Sequence, residues 1–256
     1  MELLQVILLG IIQGITEWFP ISSSGHLVIA QHFFGITEVI ELDLMLHLGS
    51  LLVVIWIFSK DIIKIFKAFQ KKDKKYMNLG YMIVLGSIPT AIIGLLMQSY
   101  IEAAFTNLFA VGIGLIFTSI LLYLTHYYSK NKKSFKKISY LDALIVGVFQ
   151  GIAIFPGISR SGSTISSALL RGIKRDEAAR FSFLLFIPAM IGAFLVQLPK
   201  VALSFNPEIL VGTTVSMVVS YFAIQELLKL IHEKKFYLFS IYCLIVGIGA
   251  IIISVV

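Results

Sequence analysis

Two short polar strings interrupt an otherwise apolar chain, and both carry residue types that handle anions. The first reads Gln13-Gly14-Ile15-Thr16-Glu17-Trp18-Phe19-Pro20-Ile21-Ser22-Ser23-Ser24-Gly25-His26. Gln13 and Glu17 stand four apart, so a helix puts them on one face. Pro20 ends that helix, and the serines suit the start of a second one, where hydroxyls cap free backbone N–H groups. The second string reads Pro156-Gly157-Ile158-Ser159-Arg160-Ser161-Gly162-Ser163-Thr164. Its glycines let backbone approach a ligand closely, its hydroxyls donate hydrogen bonds, and Arg160 offers a planar fork that matches phosphate oxygens. A short helix starting there presents its N-terminus, and helix end, Arg160 and hydroxyls together make an anion site.

Ionisable side chains inside apolar sequence are costly, which makes Glu17, His26 and Arg160 functional candidates. Glu17 can hold a divalent cation or act as a base. A serine hydroxyl or His26 is the candidate nucleophile, and the residues alone do not choose between them. Arg160 would neutralise charge on a transferred phosphoryl group. The plainer alternatives are helix capping and close helix packing for the serines and glycines, and a buried ion pair with Glu17 for Arg160. His32 and His47, nearer the outer ends of apolar runs, read as structural, as do His126 and His232 beside basic loops. A Walker phosphate loop is absent, because no Gly-Lys-Ser/Thr occurs in the second string.

The elements that carry these strings belong in a membrane. Of 256 residues, 58% are hydrophobic and 14% charged, with a mean hydropathy of +0.93, which excludes a disordered chain and leaves no polar second domain. Cys243 is alone, so no disulfide framework exists. Six runs are apolar and long enough to cross a bilayer: roughly 43–59, 78–98, 108–128, 181–198, 208–228 and 237–255. Two more, 1–34 and 138–170, are broken by the polar strings. Nineteen of the 21 cations fall in four clusters between runs, Lys60–Lys75, Lys130–Lys137, Arg171–Arg180 and Lys229–Lys235. That is the pattern of loops on the cytoplasmic side, with some attraction to lipid headgroups, and the net charge of +7 therefore implies no nucleic-acid partner. Basic clusters flank 138–170 on both sides, so that stretch enters and leaves on one face as a re-entrant hairpin whose tip is buried in protein or lines a wet cavity. Both termini then lie outside, and no secretory leader is expected.

Gly10-Ile-Ile-Gln13-Gly14-Ile15 aligns with Gly147-Val-Phe-Gln150-Gly151-Ile152, and Ser24-Gly25 aligns with Ser161-Gly162, at one constant offset. Each half is a hairpin followed by three spans. An odd number of spans inverts the second half relative to the first. The expected architecture is all-α: one polytopic membrane domain over 1–256, six transmembrane helices and two re-entrant helical hairpins, built as an inverted-topology repeat of 1–128 and 138–256. The two tips should meet near the midplane.

The two strings resemble the signature motifs of the bacterial undecaprenyl-diphosphatase family, the bacitracin-resistance proteins. The first family motif has Glu or Gln, three residues, Glu, then Pro-x-Ser-Ser-x-Gly-His; the second is Pro-Gly-x-Ser-Arg-Ser-Gly. Both are complete here, and the likeness in length and span pattern covers essentially the whole chain. The resemblance implies hydrolysis of undecaprenyl diphosphate to the monophosphate carrier lipid of peptidoglycan synthesis, with release of inorganic phosphate, resistance to bacitracin, a divalent cation (Mg or Ca), and location in the bacterial inner membrane. By motif position, Glu17, His26, Arg160 and Ser23 carry over as catalytic. Gln13, Ser22, Ser24, Gly25, Gly157, Ser159, Ser161, Gly162 and Thr164 line the substrate, and Glu17 with Gln13 is the candidate metal pair. Gln13 stands where many members have Glu. The characteristic Lys-x6-Arg-Pro string of acid-phosphatase-like lipid phosphatases is not found. The expected partners are a polyprenyl diphosphate lipid and the surrounding bilayer lipids, with homo-oligomer formation left open. The rival function is a carrier that moves a polyprenyl phosphate through the same anion site.

Overall fold

The computed structural model describes residues 2–36, 40–129, 133–198, 206–232 and 235–255. Lys130, Lys132, Lys200 and Lys234, which enter the charge pattern, and residues 199–205 between the fourth and fifth apolar runs lie outside them. Among the described residues the chain is helical, without a strand: α1 (Leu3–Thr16), α2 (Ser23–Phe34), α3 (Ile40–Ile57), α4 (Ser59–Lys71), α5 (Lys74–Leu96), α6 (Gln98–Phe105), α7 (Leu108–Tyr128), α8 (Tyr140–Ile152), α9 (Arg160–Leu170), α10 (Arg175–Gln197), α11 (Pro207–His232) and α12 (Leu238–Val255). Six of these, α3, α5, α7, α10, α11 and α12, are long and apolar enough to cross a membrane. The protein is a polytopic membrane protein.

The spans coincide with the six apolar runs, but several start earlier. Helix α5 begins at Lys74, where Asp73 accepts a hydrogen bond from the Lys75 backbone N–H at 2.9 Å and caps it. Helix α10 begins at Arg175, with Asp176 and Glu177 in a first turn whose dipole favours acids. Hydropathy alone misses such charged first turns. It also misses α4, in which Lys60, Lys64, Lys67 and Lys71 alternate with Ile63, Phe66 and Phe69, all three exposed. That pattern is an amphipathic helix suited to a membrane surface, too polar to span.

The two broken stretches are helix–turn–helix pairs, α1–α2 and α8–α9, and each leans on the other half of the chain. Helix α1 lies along α11, and α8 lies along α5. Small residues permit both contacts. A Cβ at Gly147 would stand 2.1 Å from the Gly86 carbonyl oxygen of α5, and one at Gly10 would stand 2.7 Å from the Gly212 carbonyl oxygen of α11. Helix α7 packs along α12 and also against α9. Helix α10 supplies the core under the first turn: Trp18 is fully buried, edge-on to Phe183 and Phe186 at 5.5 and 5.4 Å between ring centres.

Candidate active site

The first tip follows from Pro20, whose ring conflicts with the carbonyl four residues back. That residue is Thr16, the last of α1. Glu17 therefore caps the helix while staying on the face of Gln13, whose Nε2 donates to Glu17 Oε2 at 3.0 Å. The chain turns through Ser22, which has a positive φ of 70°, a strained conformation for a residue with a side chain. Ser22 Oγ accepts from the Gly25 N–H at 3.2 Å and starts α2.

The second tip is built the same way. Ser159 Oγ accepts from the Gly162 N–H at 3.0 Å and opens α9. Thr118 of α7 holds the turn, donating to the Gly157 carbonyl at 3.0 Å and accepting from the Ser159 N–H at 2.9 Å. Gly157 has a φ of 87°, and a Cβ there would lie 2.1 Å from the Val111 carbonyl oxygen. Only glycine fits that turn.

The tips touch. Ser161 Oγ donates to the Phe19 carbonyl at 3.1 Å, and a Cβ at Gly25 would lie 3.0 Å from Gly157 Cα. Arg160 Nη2 donates to Glu17 Oε1 at 2.6 Å, with both side chains largely buried. The guanidinium lies 3.9 Å from the centre of the Phe186 ring, which holds it flat. Its Nε and Nη1 are buried without a hydrogen-bond partner among the described residues. These are two separate unpaired donors on different edges of a fixed guanidinium, each able to serve a phosphate oxygen. On the other carboxylate oxygen, Ser23 Oγ donates to Glu17 Oε2 at 2.6 Å.

The structure thus gathers Gln13, Glu17, Ser23 and Arg160, with Ser22, Ser24, Ser159 and Ser161 around them. Ser24 pairs with Ser22, and Ser161 with Ser159, each at 3.2 Å between hydroxyls. Gly25, Gly157 and Gly162 serve the contact between tips and turns. Thr164 is tied to the Arg160 carbonyl at 2.8 Å and to the Ser182 hydroxyl of α10. His26 is not bonded to Glu17 or Arg160. Its Nδ1 donates to the Ser22 carbonyl at 2.8 Å, and its Nε2 pairs with the Tyr242 hydroxyl of α12 at 2.8 Å, the two rings nearly parallel.

One histidine assigned to structure from the sequence belongs here instead. His47 Nε2 lies 3.4 Å from Glu17 Oε2. Its position one turn after Asp43, inside an apolar span, was the available signal, since paired ionisable residues at that depth mark sites.

The residues offer a divalent cation hard oxygens but no closed cage. Among the described residues no three His, Cys, Asp or Glu side chains converge. Gln13 Oε1, however, is buried without a hydrogen-bond partner beside the Glu17 carboxylate. One carboxylate and one amide oxygen fit an ion of the magnesium kind, which takes much of its shell from substrate phosphates.

Residues 6–249 match the bacitracin resistance protein BacA family. The chain belongs to that family. A relative from Halothermothrix orenii named undecaprenyl-diphosphatase is 48% identical, the alignment covering 99% of each chain. Relatives of the same name from Desulforapulum autotrophicum and Methanosphaera stadtmanae are 41% and 40% identical, over 98% of both chains in the first case and 100% of this chain and 99% of the relative in the second. The paired tips combine a guanidinium that has unpaired donors with a carboxylate-bound serine hydroxyl, parts able to transfer a phosphoryl group.

Proposed function

We propose that this protein hydrolyses undecaprenyl diphosphate to undecaprenyl phosphate and inorganic phosphate, at the junction of its two tips. The observation that carries the site is the Glu17 carboxylate, held by Arg160 through one oxygen and bonded to the Ser23 hydroxyl through the other. The lipid tail stays among the spans and the diphosphate lies against Arg160. Arg160 holds an oxygen of the terminal phosphate through an unpaired donor, and the N-terminus of α9 adds its dipole.

Glu17 Oε2 takes the Ser23 proton as Oγ forms a bond to the terminal phosphorus. The P–O bond to the inner phosphate breaks, and the monophosphate lipid departs with that proton. Water then attacks the phosphoserine, giving its proton to Glu17, and inorganic phosphate leaves as Ser23 recovers its hydrogen. Throughout, Arg160 faces the oxygens on which charge grows. His26, bonded to Tyr242 rather than to Glu17, is the less favoured nucleophile. A divalent cation, Mg or Ca, would be held by Glu17 and Gln13 and would screen the diphosphate charge.

We also propose that 1–128 and 138–256 are one inverted unit, which is supported by the exchange in which α1 leans on α11 and α8 on α5. The proposed location is the bacterial inner membrane, with roles in peptidoglycan synthesis and bacitracin resistance. Relatives also occur in archaea, so the family carries membrane placement more firmly than cell type.

Detergent-purified protein should release phosphate from undecaprenyl diphosphate with no gradient present, lose this with EDTA and regain it with Mg or Ca. A carrier of polyprenyl phosphate would release none. Full activity in folded Glu17→Gln or Arg160→Ala protein would overturn the site.

A further inference from the structure

His47 lies in neither polar string, yet it reaches the oxygen on which the proposed chemistry turns. Its Nε2 is 3.4 Å from Glu17 Oε2, which also accepts the Ser23 hydroxyl. Its Nδ1 is 2.7 Å from the Asp43 carbonyl oxygen, one turn back along α3. A carbonyl only accepts, so Nδ1 carries a hydrogen, and Nε2 donates to the carboxylate only when it carries the second one; the ring that holds Glu17 is therefore the imidazolium, pinned with Nε2 toward the carboxylate. Asp43 is fixed in turn, its Oδ1 accepting from Gln31 Nε2 of α2 at 2.8 Å.

The rotation of α3 that aims His47 is also fixed. Ser50 pairs with Ser220 and Ser216 of α11 at 3.0 and 3.3 Å between hydroxyls, and a Cβ at Gly49 would lie 2.5 Å from the Thr213 carbonyl oxygen. A chain of contacts therefore runs from α2 through α3 to the first tip.

Arg160 anchors Oε1 of Glu17, but the terminal torsion of a carboxylate is broad. Gln13, on the same helix as Glu17, donates to Oε2 at 3.0 Å, and His47 adds a restraint on that oxygen from a second helix. A third group that orients the base is the recurring arrangement around an activated nucleophile. From these contacts we infer that His47 is a positioning residue for the hydrolysis, holding Glu17 Oε2 on Ser23. The inference rests on the reading of Ser23 and Glu17 as nucleophile and base. Because His47 acts through Glu17, its loss affects turnover, whereas substrate affinity rests with Arg160 and α9.

The test compares wild type, His47→Ala and His47→Gln on undecaprenyl diphosphate in detergent, each checked by thermal unfolding. His47→Ala should lower kcat about a hundredfold with KM within about twofold. His47→Gln, whose amide can still donate to the carboxylate, should recover most of kcat. In parallel, infrared spectra of 13C-glutamate-labelled protein are taken, with the Glu17 band identified by its loss in Glu17→Gln. That band should shift in His47→Ala and return in His47→Gln. Unchanged kcat in folded His47→Ala overturns the inference. So does a joint loss of folding and activity that glutamine does not repair, which marks packing alone. If wild type releases no phosphate, the hydrolase reading fails, and the infrared comparison still decides whether His47 orients Glu17: a band that does not move overturns it.

Discussion

Arg160 and Glu17, 143 positions apart in the chain, meet at 2.6 Å through one guanidinium nitrogen and one carboxylate oxygen. The contact joins the two tips and leaves two donors of Arg160 unpaired. An ion pair and a phosphate site are therefore compatible uses of one side chain. Arg160→Ala should abolish phosphate release, by about three orders of magnitude or more. It should also destabilise the protein, by about 3–5 kcal/mol, because a buried carboxylate loses its partner. Arg160→Lys should restore part of the stability and little of the activity, since an ammonium lacks the flat guanidinium that pairs with Glu17 and keeps further donors free. Phosphate release and detergent unfolding on the same samples check both.

Ser23 and Ser22 separate chemistry from scaffold within one turn. Ser23→Ala should lower kcat by about three orders of magnitude with KM and unfolding temperature near wild type, because Ser23 Oγ bonds only to the base. Ser22→Ala removes a helix cap and should lower stability by about 1 kcal/mol. Activity of Ser23→Ala equal to wild type would point to water or His26.

How much of this was legible in the sequence depended on how local the signal was. Six apolar runs can only be buried in lipid, so the spans were readable, and Glu17 and Arg160 stood out as charges inside such sequence. The place of His47 was not readable. Asp43 and His47 sit in an apparently ordinary span, and which way they face depends on the rotation of α3, set by Gly49 and Ser50 against α11. That information lies some 170 residues away. Tyr242 was missed for the same reason: its partner His26 is 216 positions away. Helix α4 escaped because amphipathic sequence lowers mean hydropathy below that of a span.

Gly157 should tolerate no side chain. Its φ of 87° and the 2.1 Å approach to the Val111 carbonyl mean that Gly157→Ala must displace the second tip from α7. The expected loss is about 1–3 kcal/mol of stability with a parallel loss of activity, as Arg160 moves with the tip. Gly192→Ala, inside α10 with nothing within 4 Å of the added carbon, is the control and should lower neither.

Asp142 predicts an acid limb of stability at the base of the second hairpin, outside the spans. Burial pushes its carboxyl up from the ordinary 3.8, but the Ser139 backbone N–H, Lys133 and Arg171 together outweigh this and hold it at about 2. Lys133 Nζ donates at 2.9 and 3.1 Å, and Arg171 Nε at 2.7 Å. Lys133 precedes α8 and Arg171 follows α9, so Asp142 ties together the entry and exit of the hairpin that carries Arg160. The Lys133 N–H donates to the Gly172 carbonyl at 2.7 Å, and the Lys174 N–H to the Lys133 carbonyl at 2.9 Å, closing the same base. A carboxyl with a depressed folded value contributes stability that is complete above its unfolded value and lost as pH falls toward the folded one. Wild-type unfolding temperature in detergent should therefore drop from about pH 5 down through about pH 2. Asp142→Asn should unfold at lower temperature at neutral pH and lose that part of the acid dependence. It should also release phosphate more slowly, because freeing the base of the hairpin loosens the helix whose first residue is Arg160. Retention of the wild-type acid limb in Asp142→Asn would assign it to other carboxylates.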